Sequence, residues 1–599
     1  MAYVINYTRE PMDEKYYDAR LAYSMHLAVS RDGSSYSALN HNSGVLFAKA
    51  TENEDGSLNA KSMKCPWLFR VSGEQYAVAA IRTGGNGEDD EESRGSVLLF
   101  LSEDLVSYQE IGLLKLGDEY IEQVVCESSS GDRMHIIWKE RTGECFMAEI
   151  DSLEDRRTGV PEKLDGDFRI DLYAGNIPSE TGIEGAVVHN RIEVTDDTAD
   201  QLYRRLMPPV NTGIEFPDRI QAASADELGK YLATAHYSDG SCAAKRVDWD
   251  LSNIDFGQKG TYPITGRIHQ DHFTFPIAFD RADPCIGRWK NKYYFIATND
   301  ADGNHTLYIR EADTIPELVD AKEHLILDSD TYPEIGGLLW APEFHELNGR
   351  LYIFHAATPG EFYWEESHVM ELKEGGNPVC KEDWSAPKRV VRPDGSDICE
   401  AGKEITLDMT CFEWQGEYYA VWSQRQFLPK DLGAWLYIAK LNPEEPWKLR
   451  TNPVVLSKPE YGWANNHTFV DEGPYALPHG DKLYLTFSSA AVDTSYVVGL
   501  LTIEKGKDLL DSHNWQKKNY PILTSRSVKG EFGTGHNAYV TDGDGTVWNT
   551  YHARPGVDGE RSSGIRRVHF NIDGEPVLDL TEELDVKEEY STVETLLVI

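Results

Sequence analysis

Five polar side chains recur at nearly equal intervals along the second half of the sequence. They are Asp283, Glu343, Asp408, Glu472 and His536, separated by 60, 65, 64 and 64 residues. Each leads a short apolar run, a turn and an aromatic segment, as in ADPCIGRWKNKYYFIAT. Carboxyl groups whose surroundings drive their pKa values apart can serve as general base and general acid. The spacing therefore indicates an acid–base site assembled from repeated units.

Three of these carboxyl groups have local sequences that favour different roles. Asp283 precedes a proline, which removes a backbone donor and leaves a short, rigid anion. Glu472 precedes Gly-Pro, a tight bend from which a longer side chain could reach over a substrate. Another acid nearby, such as Asp408, would raise the pKa of Glu472 by repulsion between like charges. Hydrolysis of a glycosidic bond needs this division between an ionised and a protonated carboxyl.

The elements that carry these residues are predicted to be β-strands. Aromatic residues make up 11% of the chain, in short runs separated by glycine, asparagine and aspartate turns. A repeat of about 64 residues suits one four-stranded sheet with its loops, and sheets arranged radially form a β-propeller. We therefore predict an all-β fold with a five-bladed propeller, in which the five lead residues ring one mouth of the central channel.

The ordered set of these segments resembles glycoside hydrolase family 43 from about residue 271 to residue 599. The segments that carry the resemblance are ADPCIGRWKNKYYFIAT, LLWAPEFHELNGRLYIFHAA, ITLDMTCFEWQGEYYAVWS, VDEGPYALPHGDKLYLTFSSAAVDTSYVVGLLT, GEFGTGHNAYVTDGDGTVWNTYHARPG and RRVHFNIDGEPVL. The resemblance implies a propeller enzyme that inverts the anomeric carbon. It implies that Asp283 is the general base, Glu472 the general acid and Asp408 the acid that tunes and orients the proton donor.

The resemblance also implies five residues around the sugar. Trp340 would line the sugar pocket, and Glu343 stands where several members carry Asp. His536 would face the channel, where many members hold calcium or a water, unless it is a structural histidine that ties blades together. Arg554 and Arg566 would contact hydroxyl groups, although blade-closing ion pairs would explain them equally well. The resemblance implies no cofactor for the chemistry and a candidate structural Ca²⁺ in the channel.

The predicted function is an exo-acting inverting α-L-arabinofuranosidase that trims plant-derived oligosaccharides, because the WAPE and YHAR elements look most like that subset of the family. The alternatives are a β-xylosidase, an endo-arabinanase and an inactive carbohydrate-binding propeller. Inversion predicts a separation of about 6.5–9.5 Å between the carboxyl groups of Asp283 and Glu472, which leaves room for a water.

The sequence ahead of the repeats predicts two further domains. Residues 1–175 are rich in β-type segments and are predicted to form an accessory domain. Residues 176–270 resemble an immunoglobulin-like β-sandwich module, with the propeller occupying 271–599.

Charge and cysteine usage narrow the classes of partner. The net charge of −42 disfavours binding to nucleic acid and to anionic membranes. The eight cysteines form no CxxC pair, which argues against a zinc ribbon. The first twenty residues lack a basic stretch followed by an apolar run, and this predicts a cytoplasmic protein.

Overall fold

The computed structural model confirms a nearly all-β chain with a five-bladed propeller in its second half. It describes all residues except 13, 14, 16, 73, 74, 130–132, 166, 167, 171–176 and 179. The innermost strands of neighbouring blades contact one another, and the innermost strand of blade 5 contacts that of blade 1. Backbone hydrogen bonds between Ile277–Ala278 and Ser563 in blade 5 tie the segment ahead of blade 1 to the last blade and close the ring.

Blades 1 to 4 are four-stranded antiparallel sheets, and blade 5 has three strands in the described residues. From the centre outwards, the strands are Arg281–Trp289, Lys292–Asn299, Thr306–Ala312 and His324–Asp328 in blade 1; Gly337–Leu347, Arg350–Thr358, Glu366–Glu371 and Lys388–Arg389 in blade 2; Glu404–Trp414, Glu417–Gln426, Gly433–Lys440 and Val454–Ser457 in blade 3; Asp471–His479, Lys482–Ser489, Val497–Glu504 and Gln516–Lys517 in blade 4; and Phe532–Thr541, Val547–Arg554 and Ser562–Arg567 in blade 5.

Every innermost strand carries a β-bulge at the same level, and one residue of each bulge has left-handed backbone angles. These residues are Asp283, Ala341, Asp408, Gly473 and His536, with φ between 44° and 55°. A left-handed φ is unfavourable for residues other than glycine and is concentrated at functional sites. The repeated bulge therefore marks the level of the channel at which side chains are re-aimed.

In the described residues, the N-terminal region has three sheets of four or more strands. Listed in sheet order, their strands are Ala186–Val194, Ala2–Arg9, His26–Ser30 and Ser37–Ala38; Lys61–Ser72, Gln75–Gly84, Ser96–Ser102 and Gln109–Lys115; and Ile121–Ser129, Arg133–Glu140 and Cys145–Ser152, which pairs with both Arg157–Thr158 and Glu162–Lys163. The second sheet has a bulge with left-handed Cys65 in its first strand, as the propeller blades do.

A sandwich of two sheets lies between this region and the propeller in the sequence. Its strands are Asn211–Glu215, Ala233–Tyr237 and Cys242–Lys245 in one sheet, and Arg219–Gln221, Thr592–Val598, Thr261–Ile268 and Val247–Trp249 in the other. Side chains of both sheets, including Ala233 and Ile268, share one buried cluster. The described residues also form the α-helices Ala19–Ala22, Asp196–Leu206, Ala225–Leu228 and Glu582–Asp585, several short 3-10 helices, and the strand pairs Thr51–Glu52 with Leu58–Asn59 and His569–Phe570 with Pro576–Val577.

Two strand pairings cross the predicted domain limits. The strand 186–194 pairs with 2–9 in the N-terminal region, and 592–598, at the end of the chain, completes a sheet of the sandwich. The predicted limit at residues 175 and 176 lies outside the described residues. The three-domain division stays a prediction.

The N-terminal region packs on blades 3 and 4 and reaches the rim of the channel. One buried apolar cluster contains Leu27 and Phe100 from that region together with Val421 and Trp463 from the propeller. Asp18 pairs with His467 at 3.1 Å, and Lys15 pairs with Asp558 at 2.6 Å. Loops at the channel rim are therefore braced by residues outside the propeller. Among the described residues, no helix is long and apolar enough to cross a membrane.

Candidate active site

Asp283 is buried among four polar neighbours. The Thr298 hydroxyl donates to Oδ2 at 2.7 Å, while Nδ1 of His552, Nδ1 of His536 and Nη1 of Arg561 lie 2.9, 3.2 and 3.3 Å from Oδ1. Burial opposes ionisation, but His536, Arg561 and His552 hold the pKa of Asp283 well below its usual range. Because burial lowers the pKa of His536 to about 4, the permanent positive charge in this set is on Arg561. Asp283 is thus an ionised carboxylate.

A short hydrogen-bond chain fixes the position of this carboxylate. The backbone N–H of Ala341 in blade 2 donates to the Thr298 hydroxyl at 2.8 Å, and that hydroxyl donates to Asp283. Arg561 is held in turn by Asp300, with two contacts of 2.9 and 3.0 Å. Three separate segments therefore orient one side chain, which keeps the reacting group in a single geometry.

Glu472 of blade 4 and Asp408 of blade 3 are two neighbouring carboxyl groups. The hydroxyl of Tyr496 donates to Glu472 at 2.8 Å, and the backbone N–H of Gly473 donates to Asp408 at 3.0 Å. Burial raises the pKa of Glu472 to about 7, and burial together with the charges of Glu472 and Asp283 raises that of Asp408. Interacting acids titrate as a pair, so near neutral pH this pair holds a proton that Glu472 can donate.

Trp340 stands beside these acids at the position of blade 2 that corresponds to Glu472 of blade 4, directly before the bulge. Its indole N–H donates to Asn304 at 2.9 Å, and the ring is half-buried. A fixed, partly accessible indole face suits stacking on the C–H face of a sugar ring. The structure therefore brings Asp283, Asp408, Glu472 and Trp340 to one level of the channel.

Glu343 does not belong to this level, although its spacing in the sequence suggested that it does. The bulge residue of blade 2 is Ala341, so Glu343 lies beyond the bulge, in register with Cys285, Thr410 and Tyr475 of other blades. Its carboxyl group is buried and contacts Nε2 of His345 at 2.8 Å. Burial holds the pKa of Glu343 well above its usual range. This places Glu343 one layer deeper than the three acids, where it lines the channel interior.

The two predicted arginine contacts are used for structure. Arg554 donates to the backbone carbonyls of Gly559 and Val492 at 2.6 and 2.9 Å, and so ties two rim loops together. Arg566 pairs with Glu531 at 2.6 Å on a side of blade 5 that faces a cleft towards the sandwich. Arg566 thus forms an ion pair within blade 5 and, among the described residues, Arg554 bonds only to backbone carbonyls, so neither contact is an ion pair between blades.

His536 faces Asp283 with Nδ1, and its Nε2 is buried without a hydrogen-bond partner in the described residues. Calcium takes six to eight oxygen ligands. The described residues contain no group of three His, Cys, Asp or Glu side chains placed to hold a metal ion. These side chains therefore do not form a calcium site by themselves, and the orphan Nε2 of His536 suits a water molecule. A calcium ion held through water near His536 stays a prediction.

The sequence patterns did not single out Thr298, His552, Tyr496 or Arg561. His552 lies in the YHAR segment two residues before Arg554, Tyr496 lies in the segment that begins near Glu472, and Arg561 lies in the loop 555–561. Arg561 meets Asp283 across 278 residues of sequence. A cation in a polar loop has no local pattern that distinguishes it from a solvated one.

Replacing Arg561 by methionine is expected to lower kcat/KM at acidic pH. Arg561 favours the ionised form of Asp283, so its loss raises the pKa of that carboxyl and the base is protonated at a higher pH. The acidic limb of the profile of kcat/KM against pH should move upward, and Arg561→Lys should restore part of the shift. An acidic limb that stays in place would show that Arg561 does not set the state of the base.

Replacing Tyr496 by phenylalanine is expected to move the basic limb of the profile of kcat/KM against pH. The Tyr496 hydroxyl favours the ionised form of Glu472, so its removal raises the pKa of Glu472 above about 7. The basic limb of the same profile should move to higher pH, while the acidic limb stays. A Tyr539→Phe variant, in which a buried hydroxyl bonded to Thr486 is lost, is the matched control.

Comparisons with known proteins identify the family of the chain. Residues 273–576 match the family described as Glycosyl hydrolases family 43. The chain is similar to the extracellular exo-α-(1→5)-L-arabinofuranosidases of Streptomyces avermitilis, with 30% identity over 51% of this chain and 62% of that protein, and of Streptomyces chartreusis, with 31% identity over 47% and 81%. A solved structure of α-L-arabinofuranosidase from Lactobacillus brevis shares 30% identity over 51% of this chain and 95% of that one, with a TM-score of 0.45. The chain thus spans less than two thirds of the Streptomyces avermitilis protein.

These relatives overturn the predicted location. Both Streptomyces enzymes are extracellular, so the prediction of a cytoplasmic protein is wrong. That prediction depended on the composition of the first twenty residues alone, which does not determine where a protein acts. The family match covers half of the chain and includes the segments that carry Asp283, Asp408 and Glu472. The chain therefore belongs to glycoside hydrolase family 43.

Proposed function

We propose that the protein is an exo-acting, inverting α-L-arabinofuranosidase that releases terminal arabinofuranose from plant-derived oligosaccharides. The observation that carries this proposal is the pairing, in one channel, of an ionised Asp283 with a Glu472 whose pKa is raised to about 7. Two carboxyl groups in opposite protonation states are what single-step glycoside hydrolysis requires.

In the proposed reaction, a water oxygen attacks the anomeric carbon while Asp283 accepts a proton from that water. The bond from the anomeric carbon to the glycosidic oxygen breaks, and Glu472 gives its proton to the departing oxygen. Asp408 neighbours the proton donor and orients it through the Gly473 backbone. One carboxyl group accepts the proton of the water and another donates a proton to the leaving oxygen, so we propose that the chemistry needs no cofactor.

The choice of sugar is supported by the relatives, whose names specify α-L-arabinofuranosidase activity. The test is hydrolysis of p-nitrophenyl α-L-arabinofuranoside and p-nitrophenyl β-D-xyloside side by side. We expect a clear preference for the furanoside. A preference for the xyloside would show that the sugar is xylose and would leave the proposed mechanism unchanged.

The stereochemistry and the exo mode need separate measurements. Proton NMR of the first product should show the β-anomer of arabinose, because inversion converts an α-glycoside into that anomer. Linear arabinan should yield arabinose alone from the earliest time points. An initial α-anomer would contradict the single displacement, and a ladder of oligosaccharides would contradict the exo mode.

A further inference from the structure

One loop beside the site exposes aromatic side chains, and a second loop adds a partly buried ring, Phe427. The 3-10 helix Phe362–Trp364 joins the second and third strands of blade 2, and its three aromatic residues are 39%, 50% and 45% exposed. Phe427 comes from blade 3, directly after the strand that ends at Gln426. Adjoining exposed aromatic side chains are typical of a binding surface, since single exposed apolar residues are the ordinary case.

These rings adjoin Trp340, the residue of the site that suits stacking on a sugar. The ring centre of Phe362 lies 6.0 Å from that of Trp340 and 5.6 Å from that of Phe427, and Tyr363 lies 5.0 Å from Phe427. We call Phe362, Tyr363 and Phe427 the aromatic platform. The ring centres of Phe362 and Tyr363 are themselves 5.4 Å apart, so the three rings form a compact edge-to-face cluster that adjoins the indole in the pocket.

Phe427 lies on the side of the proton donor. The guanidinium of Arg425 is 4.9 Å from the centre of the Phe427 ring, and the strand of Arg425 pairs with the strand that carries Asp408. The Asp408 carboxyl accepts from the backbone N–H of Gly473, the residue after Glu472. A leaving group departs from the anomeric carbon towards the residue that protonates it. The platform therefore extends in the direction in which the remainder of a substrate must lie.

The loop that presents the platform is held in place by backbone contacts. The N–H of Gly402 donates to the carbonyl of Tyr363 at 2.9 Å, and the N–H of Trp364 donates to that of Glu361, also at 2.9 Å. A Cβ at Gly402, whose φ is 81°, would come 3.2 Å from the Trp364 indole nitrogen. A surface that is already ordered loses little conformational freedom when it binds.

We propose that the aromatic platform binds the leaving-group sugars of a linear, uncharged oligosaccharide. Sugar rings present C–H faces that stack on aromatic rings, and the charge of Arg425 is already paired with Asp431 at 2.7 Å. Among these contacts, no unpaired cation is left to bind a negatively charged sugar. This proposal rests on the proposed function and adds a preference for oligosaccharides over substrates with small leaving groups.

The test compares two substrates with one enzyme. For Phe362→Ala and for Tyr363→Ala, kcat/KM on α-1,5-linked arabinotriose should fall about five- to tenfold, mainly through KM. On methyl α-L-arabinofuranoside, whose leaving group is too small to reach the platform, it should stay within about twofold. Tyr363→Phe keeps the ring and should resemble the wild type, as should Ile572→Ala, which truncates a side chain 51% exposed beside the sandwich.

Each other outcome has a distinct meaning. Equal losses on both substrates would show that the loop supports the pocket or the fold, and unchanged kinetics on both would show that the platform binds no sugar. Either result overturns the platform and leaves the proposed function standing. A wild-type enzyme that cleaves neither arabinoside overturns the proposed function, and the platform falls with it.

Discussion

Replacing Asp283 by alanine is expected to lower kcat by about 10²- to 10⁴-fold, the range that a positioned general base supplies. The side chain is the ionised carboxylate of the site, and no other acid there has a pKa held below its usual range. The water would then attack without a group to take its proton. The loss should appear in kcat on every substrate, because water attack is common to them all.

The measurement is the steady-state rate on the aryl arabinofuranoside, with circular dichroism and thermal unfolding as checks on folding. Asp313→Asn is the matched control, since Asp313 lies at the end of a strand in the same blade and its side chain is 78% exposed. A folded Asp283→Ala protein that keeps near-full activity would show that another group is the base.

Replacing Glu472 by glutamine should produce a loss that depends on the leaving group. Glutamine keeps the shape of the side chain and can still accept the Tyr496 hydrogen bond, but it carries no acidic proton. On oligosaccharides, whose leaving oxygen must be protonated, kcat/KM should fall about 10²- to 10⁴-fold. On 2,4-dinitrophenyl α-L-arabinofuranoside the loss should be much smaller, because that phenolate leaves without a proton.

The same variant should also change the pH profile. A raised pKa means that Glu472 is protonated below about pH 7 and ionised above it, so wild-type activity should decline as pH rises through that value. Glu472→Gln should lack this basic limb. Glu504→Gln, at an exposed position of blade 4, should match the wild type. Equal losses on both substrates would contradict the assignment of Glu472 as the proton donor.

Much of the architecture could be predicted from local patterns. A hairpin with its turn and aromatic strand is encoded by neighbouring residues, so its repetition about every 64 residues is visible without any contact map. The residue types at Asp283, Asp408 and Glu472 carry the chemistry themselves, and the structure places them together in the channel. Trp340 was found through its family-like segment and lies beside them.

The register within each repeat was harder to predict. Counting from the aromatic strands equated Glu343 with Asp283, but the bulge of blade 2 falls at Ala341, and side chains alternate in direction along a strand. A shift of two residues keeps Glu343 pointing inward and moves it one layer along the channel. Sequence spacing therefore identified an inward-facing acid and assigned it to the wrong level.

The sequence by itself determined the fold class, the number of blades and the acids that divide the work of a base and a proton donor, because these depend on residue types and short-range periodicity. Only the tertiary structure decided which charge keeps Asp283 ionised, that Arg554 ties two loops while Arg566 pairs with Glu531 within blade 5, and that the last strand returns to the sandwich. Those features depend on contacts between residues hundreds of positions apart or on loop geometry, and no local preference of the chain specifies them.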